Sequence, residues 1–488
     1  MTVKQLFTLV LFVLIFATAV KPPLDPDLWW HLQAGELTLT AGIPDRDPDL
    51  SFTAGDSDWF MPAWLSGVVI YMVYALGGMW GLAFFFAAVV TLTFVLLYRA
   101  SSGRPYLAGF VLIVGYLAFH PFIQARPQLF NLLFAAVVVF VVEGVKNHAF
   151  RFRWLWVLPP LMLVWANFHS GFLAGVAILV AYVVGGALQL WWPGREWRGF
   201  TWPEVGQLSG ITAVASVLTL FNPHGLFLWF YPFQAFSSEA MRRVIWEWHS
   251  PDFQNMIFWP FLLLLGVTVL SMALSKRLPT WTDWFLVLGT AVAGLQAMRH
   301  IPLFVVVVVP IVARQVLSAA EGTDAYTFLA GQQPSARLSS FVYQLNLGAA
   351  VVVCFLAVLW SVSTMFAYPQ TLQEAYPVAA VTYLKQAEPG LATGSARVFN
   401  EYDWGGYLIG RDVPVFVDGR VDLYGDGFMR VYDDAVRGRL GWQQTLQTYG
   451  ITHALLEEES VLAGLLALSP DWQLLYRDGV AVIYGRVE

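Results

Sequence analysis

Two carboxylates stand close together just after the first apolar stretch of the chain. They are Asp25 and Asp27, separated by Pro26 and followed by Leu28-Trp29-Trp30-His31. Proline biases the residue before it toward an extended conformation, so both carboxylates should point to roughly the same side. Such a pair could bind a divalent metal ion or leave one carboxylate free as a base. The alternative is an acidic turn before a helix that starts near Leu28, with Asp27 as its N-cap.

The same segment continues as far as Trp64 with further acids and indoles. Asp47 lies in the stretch 45–49, and Trp59 and Trp64 follow it. A loop with a purely structural role needs only turn residues, whereas this one combines acids, indoles and a histidine. The segment 25–64 is therefore the first candidate for chemistry.

More polar residues recur at the ends of later apolar stretches. They are Arg126 beside Pro127, Asn167 and His169 in 165–171, His224 in Asn222-Pro223-His224-Gly225, Glu247 in 246–252, and the pair Arg299-His300. Ionisable groups at membrane depth are costly unless they face water or each other, so their convergence on one side indicates a shared polar cavity. The alternative is that each group caps its own helix or reaches the lipid headgroups.

The arginines suggest a phosphate ligand. The planar guanidinium forms paired, charge-assisted bonds to phosphate, which makes Arg126 and Arg299 candidates for holding a phosphate at the outer helix ends. Contact with phospholipid headgroups is the alternative. Arg420, in the stretch 418–422 after a predicted strand, is a candidate for holding a substrate, or else part of a salt-bridged turn.

The composition indicates a multispanning membrane protein. Of 488 residues, 58% are hydrophobic and 12% charged, and the mean hydropathy is +0.60. These values are too apolar for an ordinary soluble globule. The net charge of −6 without a basic run gives nucleic-acid binding no electrostatic support. The single cysteine, Cys354, excludes an intramolecular disulfide.

Apolar runs predict about eleven transmembrane helices. Their ranges are 5–20, 79–98, 105–120, 127–145, 154–168, 171–192, 207–221, 257–274, 281–298, 301–318 and 342–361. Residues 62–77 favour an interfacial helix. The first run could also be a cleaved signal peptide, and either way the next segment reaches the outer side.

The distribution of Lys and Arg predicts the orientation. With a cytoplasmic N-terminus, the inner loops hold most of the short-loop Lys and Arg residues, as the positive-inside rule requires. Seven of the eight histidines then fall outside, namely His31, His120, His169, His224, His249, His300 and His453. We expect a protein of the inner (plasma) membrane, with a transmembrane domain over 1–361, a first outer loop over 21–78, and the C-terminus outside.

Residues 362–488 change in character and predict a small extracytoplasmic α/β domain. Short strands are expected at 397–400, 413–417, 454–456, 472–476 and 480–484, with helical stretches between them. The last two are joined at Asp478-Gly479, a frequent hairpin dipeptide.

These features together resemble the GT-C superfamily of polyprenyl-phosphate-dependent glycosyltransferases. The resemblance is carried by Asp25 after the first span, the aromatic interfacial segments, the outer histidines and arginines, and the external α/β tail. The chain looks most similar to bacterial proteins grouped with the protein mannosyltransferases and aminoarabinose transferases. Its motifs Asp-x-Asp-Leu-Trp-Trp-His-Leu, Trp-Ala-Asn-x-His, Asn-Pro-x-Gly and Val-Phe-Asn-Glu-Tyr-x-Trp-Gly-Gly-Tyr-Leu also look like those of a set of bacterial membrane proteins of unknown acceptor. The fold implied is mainly α, polytopic and GT-C-like.

The resemblance implies an inverting transfer of a hexosyl or pentosyl group from a lipid-linked (pyro)phosphate to a lipid, glycan or protein acceptor. It maps the general base onto Asp25, and Asp47 or His31 would orient the acceptor or tune that carboxylate. The expected substrate-binding residues are Asp27, Trp30, Arg126, His169, His224, Glu247, Arg299, His300 and Arg420. No cofactor is certain, although Asp25 and Asp27 could hold a divalent metal.

Other functions stay open at this point. The sequon-reading Trp-Trp-Asp motif of oligosaccharyltransferases is missing, because His31 follows Trp29-Trp30, so protein N-glycosylation is disfavoured. A transporter would also need buried polar groups, but here these line one leaflet and no matched broken helices occur. A non-catalytic envelope assembly protein that binds lipid-linked sugars fits the same pattern.

Overall fold

The computed structural model describes residues 1–42, 50–54, 61–101, 104–192, 199–331 and 340–487. The chain divides into two compact units. Unit 1 comprises Met1–Lys21, Ala83–Phe230 and Trp246–Thr364, and unit 2 comprises Pro22–Leu82, Tyr231–Ile245 and Met365–Glu488. Three helices contain a boundary between the units: α3 (Trp64–Ala100), α9 (Phe227–Ser237) and α15 (Ser340–Phe366).

Unit 1 is a helical bundle. Its helices are α1 (Val3–Ala19), α4 (Pro105–Phe119), α5 (Gln128–Lys146), α6 (Leu158–Phe168), α7 (Phe172–Trp191), α8 (Trp202–Leu218), α11 (Trp259–Leu274), α12 (Trp281–Gln296), α13 (Ile301–Ala319) and the short α14 (Asp324–Leu329). Short 3₁₀ helices extend several of them, at His120–Phe122, Phe152–Val157, Trp246–Trp248, Met256–Phe258 and Met298–His300.

Helix α13 lies at the centre of this bundle. It packs against α4, α5, α11 and α12, and its valine run 305–309 is buried throughout. A helix that is apolar on all sides belongs in the interior of a bundle, because burial is favourable all around it. At Gly115 of α4 an added Cβ would lie only 3.0 Å from the side chains of Val305 and Val309, so the small residue admits α13 closely.

Every predicted span coincides with a helix. Seven helices among the described residues are long and apolar enough to cross a bilayer: Trp64–Ala100, Pro105–Phe122, Gln128–Lys146, Phe172–Trp191, Met256–Leu274, Met298–Ala319 and Ser340–Phe366. The other four predicted spans correspond to the shorter helices α1, α6, α8 and α12. The protein is therefore a multi-pass, mainly α-helical membrane protein, as predicted.

Helix α3 is broken where the sequence analysis separates an interfacial helix from a span. Gly78 has φ 57° and ψ −152°, a conformation outside the helical region that glycine adopts without steric cost. The predicted change of helix after residue 77 is confirmed. The position of residues 62–77 relative to the membrane stays a prediction.

A buried ionic network, which the sequence analysis missed, ties four helices of unit 1 together. Arg314 of α13 donates from Nη1 to Glu143 Oε2 (2.8 Å) and from Nη2 to Asp283 Oδ1 (2.5 Å). Lys146 Nζ lies 3.3 Å from Glu143 Oε1, and the Tyr182 hydroxyl donates to the same oxygen at 2.9 Å. Two acids and two bases balance in charge, which makes burial of each tolerable where a lone ion would not be. Helices α5, α7, α12 and α13 are thereby fixed in register.

Unit 2 combines short helices with one small sheet. The helices are α2 (Leu28–Ala41), α10 (Glu239–Val244), α16 (Tyr368–Ala375), α17 (Val378–Ala387), α18 (Gly390–Thr393), α19 (Gly405–Ile409), α20 (Val421–Val436), α21 (Trp442–Thr448) and α22 (Val461–Leu468), and a 3₁₀ helix covers Tyr402–Trp404. The strands are β1 (Val398–Asn400), β2 (His453–Glu457), β3 (Trp472–Arg477) and β4 (Ala481–Arg486), in the spatial order β1-β2-β4-β3. β1 and β2 are parallel, and the other neighbours are antiparallel.

Four of the five predicted strands are confirmed, and the hairpin at Asp478 has the expected tight turn. The predicted strand at 413–417 is wrong, because Val415 forms only isolated bridges, to Ser51 and Val398. The Val415 N–H donates to the Leu50 carbonyl at 3.1 Å, and its carbonyl accepts the Phe52 N–H at 3.3 Å. The side chain of Asn400 serves the next two residues: its Oδ1 accepts the Phe416 N–H at 2.9 Å, and its Nδ2 donates to the Val417 carbonyl at 2.8 Å. A side chain that satisfies the backbone groups removes the need for a paired strand.

Candidate functional site

The Asp25 carboxylate is buried at the start of α2 in unit 2, with only 3% of the residue exposed. Its Oδ1 accepts the Asp27 N–H at 2.9 Å, and its backbone carbonyl accepts the Leu28 N–H at 3.1 Å. These two bonds form an Asx turn that leads into the helix. The Asp25 carboxylate is thus held in one orientation by the backbone that follows it.

Asp27 occupies the N-cap position, as the alternative interpretation expected, but its side chain makes no capping hydrogen bond. Its Oδ1 instead accepts the Trp30 Nε1–H at 3.1 Å. His31 is 5% exposed, and its ring centroid lies 3.6 Å from that of Trp30. Two of the residues predicted on this segment, Trp30 and His31, therefore lie in the first turn of α2, and Asp25 and Asp27 directly precede it. Asp47, predicted beside them, lies outside the described residues.

The C-terminal part of unit 2 packs directly against residues 25–27, called the carboxylate segment below. A Cβ at Gly406 would collide with the Pro26 carbonyl oxygen, and one at Gly419 would collide with Asp27 Oδ1. Trp29 packs edge-on against Tyr407, with ring centroids 5.4 Å apart. The Pro26 backbone therefore lies directly against the backbone of Gly406, and the Asp27 carboxylate lies against the backbone of Gly419. Both contacts are possible because glycine has no side chain.

Arg420, predicted to bind substrate, forms a buried pair with Asp418. It donates from Nε to Oδ1 (2.8 Å) and from Nη2 to Oδ2 (2.7 Å), and the Tyr424 hydroxyl also donates to Oδ2 at 2.7 Å. Burial acts to raise the pKa of Asp418, but the Arg420 charge and these hydrogen bonds outweigh it and lower that pKa. The geometry matches the salt-bridged turn that the sequence analysis held open, next to Gly419 and thus beside Asp27.

Three carboxylates surround Tyr376 in unit 2. Burial, followed by the negative charges of Asp25, Asp403 and Asp27, raises the pKa of the Tyr376 hydroxyl. Within the described ranges no group of three or more His, Cys, Asp or Glu side chains is arranged to hold a metal ion. A cation at Asp25 and Asp27 therefore stays a prediction.

Unit 1 contains a separate, cationic cluster at its predicted outer helix ends. Arg126 donates from Nη1 to both oxygens of Glu247, at 3.1 and 3.2 Å. The Gln128 side chain donates to the Arg299 carbonyl at 3.3 Å, which links the start of α5 to the start of α13. The guanidinium of Arg299 lies over the Trp248 ring, 4.6 Å from its centroid.

The two neighbouring histidines belong to the same cluster. The His300 ring lies 6.3 Å from that of Trp248. Desolvation and then the positive charge of Arg299 lower the pKa of His169 to about 3, so this imidazole is neutral at pH 7. Its Nδ1 accepts the Gly171 N–H at 2.8 Å. The structure thus brings together five of the predicted residues: Arg126, His169, Glu247, Arg299 and His300.

His224 lies in the tight turn after α8. Its backbone N–H donates to Asn222 Oδ1 at 2.8 Å, and Asn167 donates from Nδ2 to the adjoining Phe221 carbonyl at 3.0 Å. The motifs around Asn167 and Asn222, singled out separately from sequence, therefore meet in unit 1.

Sequence reasoning missed three aromatic residues that shape these clusters, namely Trp248, Tyr376 and Tyr407. Trp248 could have been found from its place beside Glu247 in a Trp-Glu-Trp run. For Tyr376 the only local signal is the following Pro377 after the last apolar run. Tyr407 lies in the segment Val-Phe-Asn-Glu-Tyr-x-Trp-Gly-Gly-Tyr-Leu, which the sequence analysis noted without giving this tyrosine a role.

Solved structures support the predicted fold. An oligosaccharyltransferase from Archaeoglobus fulgidus, tethered with an acceptor peptide containing the NVT sequon, matches with a TM-score of 0.57 at 10% identity, over 99% of this chain and 74% of that one. The A. fulgidus oligosaccharyltransferase AglB with an inhibitory peptide and a dolichol-phosphate matches with the same values. ArnT from Cupriavidus metallidurans bound to undecaprenyl phosphate matches with a TM-score of 0.50 at 13% identity, over 99% of this chain and 97% of that one.

These neighbours are GT-C glycosyltransferases. No protein-family profile and no curated protein sequence matches this chain. At 10–13% identity the likeness concerns the fold. The GT-C-like fold predicted from the sequence is thereby confirmed.

One titratable group near the carboxylate segment generates a pH prediction. Burial, and then the charges of Glu457 and Asp403, raise the pKa of Glu401 to about 7, although its Oε1 accepts the Glu457 N–H at 3.3 Å. A raised pKa means that the folded protein holds this proton more tightly than the unfolded chain. The stabilisation is complete below pH 4.5 and is lost as the pH rises to about 7.

We expect Glu401→Gln to flatten this pH dependence, because glutamine cannot ionise. The wild type should lose up to about 3 kcal/mol of stability between pH 4.5 and pH 7.5 from this group, and the variant should not. Unfolding of the two purified full-length proteins measured across that range is the test. Parallel curves for the two proteins would show that Glu401 does not titrate in this way.

Proposed function

We propose that this protein is an integral membrane glycosyltransferase. It would transfer a hexosyl or pentosyl group from a polyprenyl-(pyro)phosphate carrier to a lipid, glycan or protein acceptor at the outer face of the membrane. The observation that carries the proposal is the Asp25 carboxylate, buried and held by a backbone hydrogen bond just before α2, in the segment predicted to lie outside. The GT-C-like fold supports it, because two structures of that fold are bound to dolichol-phosphate or undecaprenyl phosphate and another is tethered with an acceptor peptide.

The proposed reaction is an inverting displacement at the anomeric carbon of the sugar. The acceptor hydroxyl attacks that carbon while Asp25 takes the hydroxyl proton as general base. The bond between the anomeric carbon and the phosphate oxygen breaks, and its electron pair leaves with the phosphate. Asp47 or His31 would orient the acceptor, and Asp27 and Trp30 would contact the substrate. A carboxylate that is already fixed loses little freedom on reaching the transition state.

The cationic cluster of unit 1 is proposed to bind the lipid phosphate. Arg299 is held in place by its position over the Trp248 ring, and Arg126 is held by its hydrogen bonds to Glu247. Both guanidinium groups are therefore oriented by the protein itself. Preorganised cations stabilise the negative charge that develops on a departing phosphate. His169 and His300 would supply hydrogen bonds to the same anion, and His224 would be a further substrate contact, whereas the buried pairing of Arg420 with Asp418 favours a structural role for Arg420.

We expect Asp25→Asn to fold and bind donor but to transfer sugar about 10²- to 10⁴-fold more slowly. The amide oxygen still accepts the Asp27 N–H, whereas the amide cannot take up a proton. The assay is transfer from a radiolabelled polyprenyl-phosphate sugar in membranes. Asp471→Asn, an exposed carboxylate of the same unit, is the matched control. Transfer by Asp25→Asn at the wild-type rate would remove Asp25 from the mechanism. If the wild type binds donor without transferring sugar, it is a non-catalytic assembly protein.

Arg126→Lys and Arg299→Lys should each weaken photo-crosslinking to a polyprenyl-phosphate probe. Lysine keeps the charge but cannot reproduce the bidentate fork or the planar stack on Trp248. Arg477→Lys serves as the control, because Arg477 is an exposed arginine of unit 2 that pairs with Glu458. Labelling of both variants at the wild-type level would reassign the two arginines to lipid headgroup contacts.

We place the protein in the inner (plasma) membrane with a cytoplasmic N-terminus, on the asymmetry of Lys and Arg between loops. In a Cys354→Ser background, cysteines at the exposed Ala41 and Leu468 should react with an impermeant reagent added to intact cells, and one at the exposed Ala149 should react only after lysis. Labelling of Ala149→Cys in intact cells, or protection of either other site, would overturn this orientation.

A further inference from the structure

We propose that Tyr376 is a positioning residue for the Asp25 carboxylate, an inference that rests on the proposed function. Tyr376 follows α16, is 3% exposed, and belongs to unit 2. Its hydroxyl donates to the Leu24 carbonyl at 2.7 Å, across 352 positions of sequence. Leu24 directly precedes Asp25, so the two segments meet at the carboxylate segment itself.

The bond acts on Asp25 through the peptide plane. The Leu24 carbonyl and the Asp25 N–H belong to one planar peptide unit. A hydroxyl that holds the carbonyl oxygen therefore also fixes the orientation of the bond that leads to the Asp25 Cα. On its other side Asp25 is held by the Asp27 N–H, which donates to its carboxylate. Asp25 is therefore constrained before and after its Cα, and Tyr376 supplies one constraint from a distant part of the sequence.

Tyr376 can transmit this constraint because it is itself fixed. Its backbone N–H donates to the Leu372 carbonyl at 2.9 Å, and its own carbonyl accepts the Val378 N–H at 2.8 Å. The ring stacks on Tyr407, with centroids 5.1 Å apart and planes inclined by 29°. It also meets Trp29 edge-on, with centroids 6.5 Å apart. A side chain with packed faces and bonded backbone has few rotamers left, so its hydroxyl is a rigid donor.

Electrostatics keep the donor protonated. Burial and the nearby charges of Asp25, Asp403 and Asp27 raise the pKa of the Tyr376 hydroxyl. A tyrosinate could not donate to a carbonyl, and the surrounding carboxylates disfavour it strongly. The Tyr376 hydroxyl therefore remains a donor above the pH at which an ordinary tyrosine ionises.

The test compares Tyr376→Phe with Tyr432→Phe in the full-length protein. Both variants lose one buried hydroxyl that donates to a backbone carbonyl of unit 2, because the Tyr432 hydroxyl donates to the Asn400 carbonyl at 3.4 Å. We expect Tyr376→Phe to lower kcat by about 10- to 10²-fold and leave KM for the lipid-linked donor unchanged, since misplacement of a reacting group acts on the chemical step. Tyr432→Phe should keep the wild-type kcat.

Two further measurements separate positioning from a general structural effect. In an Asp25→Asn background, Tyr376→Phe should cause no additional loss of rate, because its effect passes through the Asp25 carboxylate. A multiplicative loss would overturn the inference. Hydrogen exchange of the Asp27 and Leu28 amides needs no activity: it should accelerate in Tyr376→Phe and not in Tyr432→Phe. Unchanged exchange would overturn the inference, whereas wild-type protein without transfer activity would overturn only the proposed function.

Discussion

The close approach between the Pro26 carbonyl and the backbone of Gly406 is the constraint on which the candidate site depends. No side chain larger than hydrogen fits between these two segments. Because they touch at this point, Trp29 reaches Tyr407 and Asp27 reaches Gly419. Residues 22–42 and 365–487 consequently form parts of one compact unit, although most of the chain separates them in sequence. The segment that carries Asp25 gains its fixed shape from the C-terminal region.

Burial and charge compensation explain how each unit tolerates its ionisable groups. In unit 2, Asp418 is paired with Arg420 by two hydrogen bonds, which offsets the desolvation of both groups. In unit 1, Glu143 and Asp283 are compensated by Arg314 and Lys146. The Asp25 carboxylate of unit 2 accepts the backbone N–H of Asp27, which fixes its orientation at the start of the helix.

The sequence predicts the helices well and the site only in part. Hydropathy locates the spans, since a bilayer imposes a length and an apolar composition that each helix displays locally. Two further features can be predicted from neighbouring residues alone: the end of a helix at Gly78 and the turn at Asp478. At 413–417 a ladder is replaced by bonds to residues 50–52 and to the side chain of Asn400, all outside that stretch. These hydrogen bonds belong to the tertiary structure and leave no periodic pattern.

The same distinction applies to the site residues. Asp25, Trp30 and His31 lie within one short motif, so their grouping can be predicted from the sequence. Arg126 and Glu247, or Tyr376 and Leu24, meet only after folding, over separations of 121 and 352 positions. A single sequence contains no signal for such pairings, which is why Tyr376 and Tyr407 were missed. The motif points to Asp25 as the candidate base, whereas the residues that hold Asp25 in place are found only from the fold.

The contact at Gly406 is what lets the C-terminal segment hold Asp25 in its proposed reactive position. The most direct measurement is the rate of sugar transfer by Gly406→Ala beside that of Gly464→Ala, whose added methyl group would enter open space on helix α22. We expect Gly406→Ala to lose transfer by about 10²-fold or more, because the new Cβ displaces the Pro26 carbonyl and with it Asp25. Gly464→Ala should keep the wild-type rate. Equal, wild-type rates in the two variants would show that the contact at Gly406 does not position Asp25.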